Sequence, residues 1–281
     1  MQDLMQGISK SYKNFSSGQK KIVDLFIEEP IFLAFSSALE VGKRVKVSES
    51  TVIRWTQKLG YKGYAEFQQV VQRKLAEERL GQNADAAILS PPANQSFLEN
   101  LLDADIASIV ELKKTVDEDM LLQAVDSISQ AKGVYVTSNF FDYGLAFSFT
   151  TWLNLTLGHA ELLMQGDPDY FRKLSKLGAE DTVVAFIFPR YTRAALDTLD
   201  AAKRRGAKVI VITDAPESPA HDYADIALEV SVNSSLNIES YTAVHALLTS
   251  IMRFVYVKDH EKVKGNLQKV EIIYKEKNIF Q

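Results

Sequence analysis

Apolar residues recur at spacings of three and four over the first eighty positions, and residues suited to helix caps fall in the breaks. Ile22, Val23, Phe26 and Ile27 form one such stripe, with Ser16 or Ser17 placed to cap it and Pro30 placed to end it. A second helix fits Ser36 to Val45 and a third Glu49 to Leu59. Ser48 opens the third, because its hydroxyl can accept an orphan backbone N–H. Gly60 and Gly63 interrupt the period, and Tyr64 to Leu80 resumes it. Residues 81–96, GQNADAAILSPPANQS, are small and polar and contain Pro91 and Pro92, so they read as a linker between domains.

Helical spacing returns over Phe97 to Val116 and Met120 to Ile128, and from residue 133 the period changes. GVYVTS (133–138), HAELLMQ (159–165), DTVVAFIF (181–188), AKVIVITD (207–214) and DIALEVSV (225–232) are short β-rich apolar runs. Runs without polar alternation, separated by helical segments, predict a parallel sheet buried on both faces. The expected fold is thus an all-α domain at 1–80, followed by a doubly wound α/β domain at 97–260. Ligands of such sheets bind beyond the carboxyl ends of the strands. A last helix is expected from Tyr241 to Lys258, and then a basic tail, 261–281, also expected to be helical.

Composition narrows the class. With 281 residues, 46% apolar and 24% charged, the chain has the make-up of a globular protein of two domains. It has no cysteine, which removes thiol catalysis, disulfides and cysteine-based zinc sites. No apolar stretch reaches the length of a signal peptide or a membrane span, so a cytoplasmic protein without membrane contact is expected. The net charge of −4 is unevenly spread. Residues 1–80 carry 13 Lys and Arg against 9 Asp and Glu, whereas the remainder carries 19 against 27. Between 41 and 64 the cations are Lys43, Arg44, Lys46, Arg54, Lys58 and Lys62, opposed by Glu49 alone. A basic stripe on an acidic chain points to an anionic partner met by one end, although a solvated helix face gives the same pattern.

The segment SSALEVGKRVKVSESTVIRWTQKLGYKGYAEF weighs against the solvated face. Leu39, Gly42, Val47, Val52 and Leu59 fall where two short helices crossing at a tight turn need small or branched core residues. Ser48, Ser50, Thr51 and Arg54 then cluster on the opening turns of the second helix, the part of a helix-turn-helix that enters a major groove. Hydroxyls and helix N-terminal amides grip phosphates, and arginine reads a guanine edge. Lys43, Arg44, Lys46, Lys58 and Lys62 would supply phosphate contacts.

VSESTVIRWTQKLGYKGYAEF resembles the N-terminal domain of RpiR/MurR-type bacterial transcriptional regulators. Val47-Ser48, Thr51-Val52, Arg54-Trp55, Leu59-Gly60 and Gly63-Tyr64 match the pattern in order. Two positions depart from it. Lys46 stands where glycine is usual, and in a left-handed conformation it costs roughly 1 kcal/mol relative to glycine. Trp55 replaces phenylalanine, a change of core volume. The family places a sugar isomerase (SIS) domain next, and ALDTLDAAKRRGAKVIVITDAPESPAHDYADIALEV (195–230) resembles its fourth βα unit. The resemblance implies a flavodoxin-like sheet, a sugar-phosphate site often built across a dimer, and double-stranded operator DNA as partner. It implies action as a homodimer or dimer of dimers.

The phosphate loops of that family are altered here. In place of glycine-x-glycine-x-serine after the first strand stand Ser138, Asn139, Phe140, Phe141 and Asp142. In place of serine-x-serine-glycine-x-threonine after the third stand Ile187, Phe188, Pro189, Arg190, Tyr191 and Thr192, with Arg193 following. Two outcomes are open. In one, Arg190 and Arg193 pair directly with a phosphate or carboxylate and Tyr191 stacks on or hydrogen-bonds the ligand, with Ser138, Asn139, Asp142 and Thr192 lining the site. In the other, the arginines pair with Asp142 or another acid and close the pocket.

Enzyme chemistry has thin support. An SIS-fold sugar-phosphate isomerase needs an acid–base group at the sugar. His159, His221, His245, His260 and Glu239 are the candidates, none with a distinctive setting. No metal-ligand spacing is present, and no catalytic residue, metal or cofactor is expected. The sequence reading is a DNA-binding regulator of carbohydrate metabolism that senses a sugar phosphate, a sugar acid or a related metabolite. An SIS-fold enzyme with an accessory helical domain is the alternative.

Overall fold

The computed structural model describes residues 2–80, 96–235 and 238–280. The chain divides into two units, Met1–Ala87 and Ile88–Gln281. All but Ser96 of the expected linker at 81–96 lies outside the described residues.

The first unit is helical: α1 (Gln2–Lys10), α2 (Ser17–Glu28), α3 (Pro30–Phe35), α4 (Ala38–Val45), α5 (Glu49–Lys58) and α6 (Tyr64–Leu80). Ser16 and Ser37 open α2 and α4 with reciprocal capping boxes, through Gln19 and Glu40. Pro30 does end α2, as its missing N–H requires, but it also starts α3 at the first helical position, where that N–H has no partner to lose. The additional helix was not expected, and it moves the start of α4 from Ser36 to Ala38. The core gathers on Phe26, Trp55 and Phe67, with Trp55 and Phe67 edge to face at 4.9 Å. Leu39, expected in this core, is 47% exposed instead, and Ala38 and Val41 are buried on either side of it.

The second unit begins with α7 (Phe97–Thr115) and α8 (Glu118–Gln130) and continues β1 (Val134–Ser138), α9 (Tyr143–Thr156), β2 (Ala160–Leu162), α10 (Tyr170–Lys176), β3 (Thr182–Ile187), α11 (Arg193–Arg204), β4 (Lys208–Thr213) and β5 (Ile226–Glu229). The five strands form one parallel sheet in the order β2-β1-β3-β4-β5. Every residue of β1 and β3 is buried, in keeping with their largely apolar composition. The chain reverses its direction of winding between β1 and β3, and the two loops leaving these strands therefore flank a crevice.

A short antiparallel hairpin follows, β6 (Asn233–Ser235) with β7 (Ile238–Ser240). It then leads into α12 (Thr242–Lys258) and α13 (His260–Glu276). The hairpin had no sequence signal, since three-residue strands are too short to show alternation. The basic tail is helical and also packs: Val263 is fully buried in the core of this unit, and the Asn266 amide donates to Thr156 O at the end of α9.

Candidate functional site

The turn between α4 and α5 is built around Gly42 and Lys46. A Cβ on Gly42 would stand 2.8 Å from Val47 O, so only glycine lets the two helices approach this closely. Lys46 is left-handed (φ 56°, ψ 51°), and Val47 N–H reaches back to Gly42 O at 2.8 Å, a 6→1 closure that ends α4. The position where glycine is usual therefore does take the conformation that favours glycine, and Lys46 bears that cost while presenting an exposed ammonium.

Helix α5 starts at an exposed hydroxyl cluster. Ser48 Oγ accepts Thr51 N–H at 3.3 Å and lies 2.9 Å from Ser50 Oγ and 2.8 Å from Thr51 Oγ1. Arg54 is exposed three and four residues on, which puts it on the same face as Ser50 and Thr51. The opposite face, Val52, Trp55 and Thr56, is buried. The expected phosphate contacts separate into two sets. Lys43, Lys46 and Lys62 are exposed, with no ion pair engaging their ammonium groups among the described residues. Arg44 Nη2 instead bonds both carboxylate oxygens of Glu29 at 2.9 Å and lies over the Phe32 ring, and Lys58 Nζ donates to Asn14 O beside Phe15. Trp55, expected as a simple change of volume, also carries a buried Nε1 without a hydrogen-bond partner.

Hydrogen bonds among its own side chains cross the crevice between β1 and β3. Asn139, buried at the end of β1, joins the two loops: Nδ2 donates to Phe188 O at 2.7 Å, and Oδ1 accepts from Thr192 N and Oγ1 at 3.2 and 3.1 Å. Thr192 in turn caps α11 by accepting Ala195 N–H. Ser138 Oγ donates to Asn139 O. Tyr191 is buried, its hydroxyl donating to Asp214 Oδ1 at 2.7 Å.

Asp142, only 2% exposed at the start of α9, accepts Phe188 N–H at 3.4 Å and faces the Tyr241 hydroxyl at 2.6 Å. That hydroxyl also lies 2.8 Å from Glu239 Oε2. One phenolic proton cannot serve two ionised carboxylates, so the geometry calls for a second proton on the trio. Burial is the main influence on Asp142 and pushes its carboxyl up to about 6. Glu239 adds to this, while hydrogen bonds from Tyr241, Phe188 and Asn139 pull the other way.

Each arginine is engaged with a partner of its own, Arg193 with another acid. Arg190, itself left-handed (φ 68°), lies with its guanidinium 5.2 Å from the Phe141 ring centre. Arg193 pairs with Asp197 along α11 at 2.9 Å, on the exposed surface. Phe140 and Phe141 of the loop after β1 are exposed, Phe140 by 80%. Tyr241 and Asp214 were not foreseen as part of the site, because each meets its partner only through tertiary folding. Of the other acid–base candidates, His159 sits before β2 at the opposite end of the sheet, and His245 is exposed on α12. His221 and His260 lie in a 3₁₀ turn and at the start of α13. Among the described residues no group of His, Asp and Glu could hold a metal.

Comparison with known proteins agrees with both halves of this architecture. A family model described as "Helix-turn-helix domain, rpiR family" matches residues 2–78, and one described as "SIS domain" matches residues 127–256. The chain belongs to the RpiR type. An uncharacterized HTH-type transcriptional regulator of Haemophilus influenzae is 23% identical to this RpiR-type chain over 236 residues, 80% of this chain and 79% of that one. Among solved structures, the Vibrio vulnificus NanR protein complexed with ManNAc-6P superposes over 96% of this chain and 97% of its own, with a TM-score of 0.66 at 14% identity. The sugar isomerase domain of an RpiR transcription factor from Sphaerobacter thermophilus covers 63% of this chain and 99% of its own, with a TM-score of 0.60 at 22% identity. At these identities the structures establish the fold that the RpiR-type chain shares with them.

Proposed function

We propose that this RpiR-type chain is a cytoplasmic, sequence-specific DNA-binding regulator of carbohydrate metabolism whose SIS unit senses a small metabolite. The observation that carries the reading is the opening of α5. Ser50 and Arg54 are exposed and Thr51 is half-buried on the face opposite its buried core, beside the exposed cations Lys43, in the last turn of α4, and Lys46, in the turn that follows. Hydroxyls and lysines there position the helix on phosphates, and Arg54 reads a base edge. A single helix-turn-helix covers little DNA, so a homodimer or dimer of dimers on a palindromic operator follows, with half-sites one helical turn or a multiple apart.

Sensing is assigned to the β1/β3 crevice, the position where sheets of this order take their ligands. The NanR complex with ManNAc-6P supports a metabolite-sensing role for this fold. Control then works by differential affinity: an effector that prefers one arrangement of the paired SIS units shifts the equilibrium of the DNA-binding heads. An isomerase is the weaker reading. Of the His and Glu candidates named from the sequence, Glu239 lies at the crevice, tied to Tyr241 beside Asp142.

Fluorescence anisotropy with a labelled fragment from upstream of the protein's own gene tests the proposal. Tight, sequence-dependent binding is expected. Equal, weak binding to that fragment and to scrambled DNA would overturn it.

A further inference from the structure

The β1/β3 crevice sits between the N-termini of α9 and α11, where an anion would ordinarily be welcome, since helix N-termini offer free amides and a positive dipole end. The protein has placed a carboxylate of its own there. Asp142 heads α9, is almost wholly buried, and takes an amide from the β3 loop, Phe188 N–H, together with the Tyr241 hydroxyl. The loops' neutral side-chain donors are engaged inside the protein: Asn139 Nδ2 on Phe188 O, Thr192 Oγ1 on Asn139 and Tyr191 Oη on Asp214. Glu239 adds a second acid at the same hydroxyl. The cations lie outside, with Arg190 on Phe141 and Arg193 on Asp197.

We infer that Asp142 is the resident anion of this crevice, and that it restricts the ligand to a phosphate-free compound offering hydroxyl or amine donors. A phosphate ester would bring two further negative charges against a desolvated carboxylate, with no free neutral side-chain donor to receive them. A polyol or amino compound meets acceptors instead, because carboxylates accept hydrogen bonds and donate none when ionised. The inference rests on the crevice being the effector site.

Thermal unfolding of the full chain near pH 7.5, with inorganic phosphate, glucose 6-phosphate or glucose at matched ionic strength, tests it. Neither phosphate compound should raise the wild-type Tm. Asp142→Asn should gain a phosphate-dependent rise of roughly 2–4 °C, the equivalent of about 1 kcal/mol of linkage. A wild-type rise with glucose 6-phosphate that is lost in Arg190→Ala would overturn the exclusion while leaving the crevice as the effector site. A folded Asp142→Asn that stays indifferent to phosphate would overturn it as well. Should Asp142→Asn not fold, wild type at pH 5 replaces it: protonating the same carboxyl should admit phosphate, and no rise at that pH counts against the inference. A ligand whose stabilisation survives both Arg190→Ala and Asn139→Ala binds elsewhere, and the crevice reading falls with the inference.

Discussion

Tyr241 Oη stands 2.6 Å from Asp142 Oδ1, across 99 positions of sequence, and this contact ties the start of α12 to the loop after β1. The proton that the trio with Glu239 requires makes the contact sensitive to pH. Asp142 titrates at about 6 in the fold, above the ordinary 3.8, so the folded state holds more protons than the unfolded chain between these values. Stability therefore falls as pH rises through that window, by up to about 3 kcal/mol at the conversion of 1.4 kcal/mol per unit. Asp142→Asn, which cannot ionise, should lose this component. Denaturant unfolding of both proteins from pH 4 to 8 checks it, and curves that stay parallel would rule it out.

Arg54→Ala should weaken binding to the operator by about 1–3 kcal/mol while barely changing affinity for random DNA, because a base-reading side chain contributes discrimination. Competition titrations with operator and scrambled duplexes measure both. An equal loss in the two would make Arg54 a backbone contact.

Lys46→Gly should pull two measurements in opposite directions. Relief of the left-handed backbone should stabilise the protein by roughly 1 kcal/mol. Loss of one phosphate contact should reduce the slope of log affinity against log salt by about one unit. Stability with no change in salt slope would mean that Lys46 does not touch the DNA backbone.

Arg44→Ala and Lys43→Ala separate the two sets of cations. Arg44 is held by Glu29, so its loss should cost a few tenths of a kcal/mol of stability, the usual worth of an exposed pair, and little salt slope. Lys43→Ala should do the reverse. Matched salt titrations of the two variants decide.

Gly42→Ala should destabilise the first unit by roughly 1–3 kcal/mol, since the added methyl meets the rigid backbone carbonyl of Val47 rather than a side chain able to move. Circular dichroism melting of the variant checks this. A change within error of wild type would mean that the α4–α5 turn opens without cost.

The parts of this architecture governed by local rules were legible in the sequence. Ser16 and Ser48 cap where a hydroxyl precedes an apolar period, and β1 and β3 follow from apolar runs without alternation. The left-handed Lys46 followed from the pattern of related turns. The second helix turn at Pro30–Phe35 was hidden, because the same proline that ends one helix begins the next. The crevice was legible as a place and not as a wiring diagram. Asn139, Asp142, Tyr191 and Thr192 sit on the two loops that leave β1 and β3, but what each one holds depends on partners far away in sequence, Phe188, Tyr241 and Asp214. No periodicity encodes such pairings, and the two charged arginines that drew attention turn outward.

The Asn139 side chain has a mechanical consequence. By holding Phe188 with one atom and Thr192 with the other, it splices the exit of β1 to the entry of α11. A displacement of either loop would on this geometry reach a twelve-residue helix through a single side chain, like a force applied through a lever arm. An effector bound there as proposed would need only to tilt this one short splice, and not to reshape the sheet, to be felt at α11.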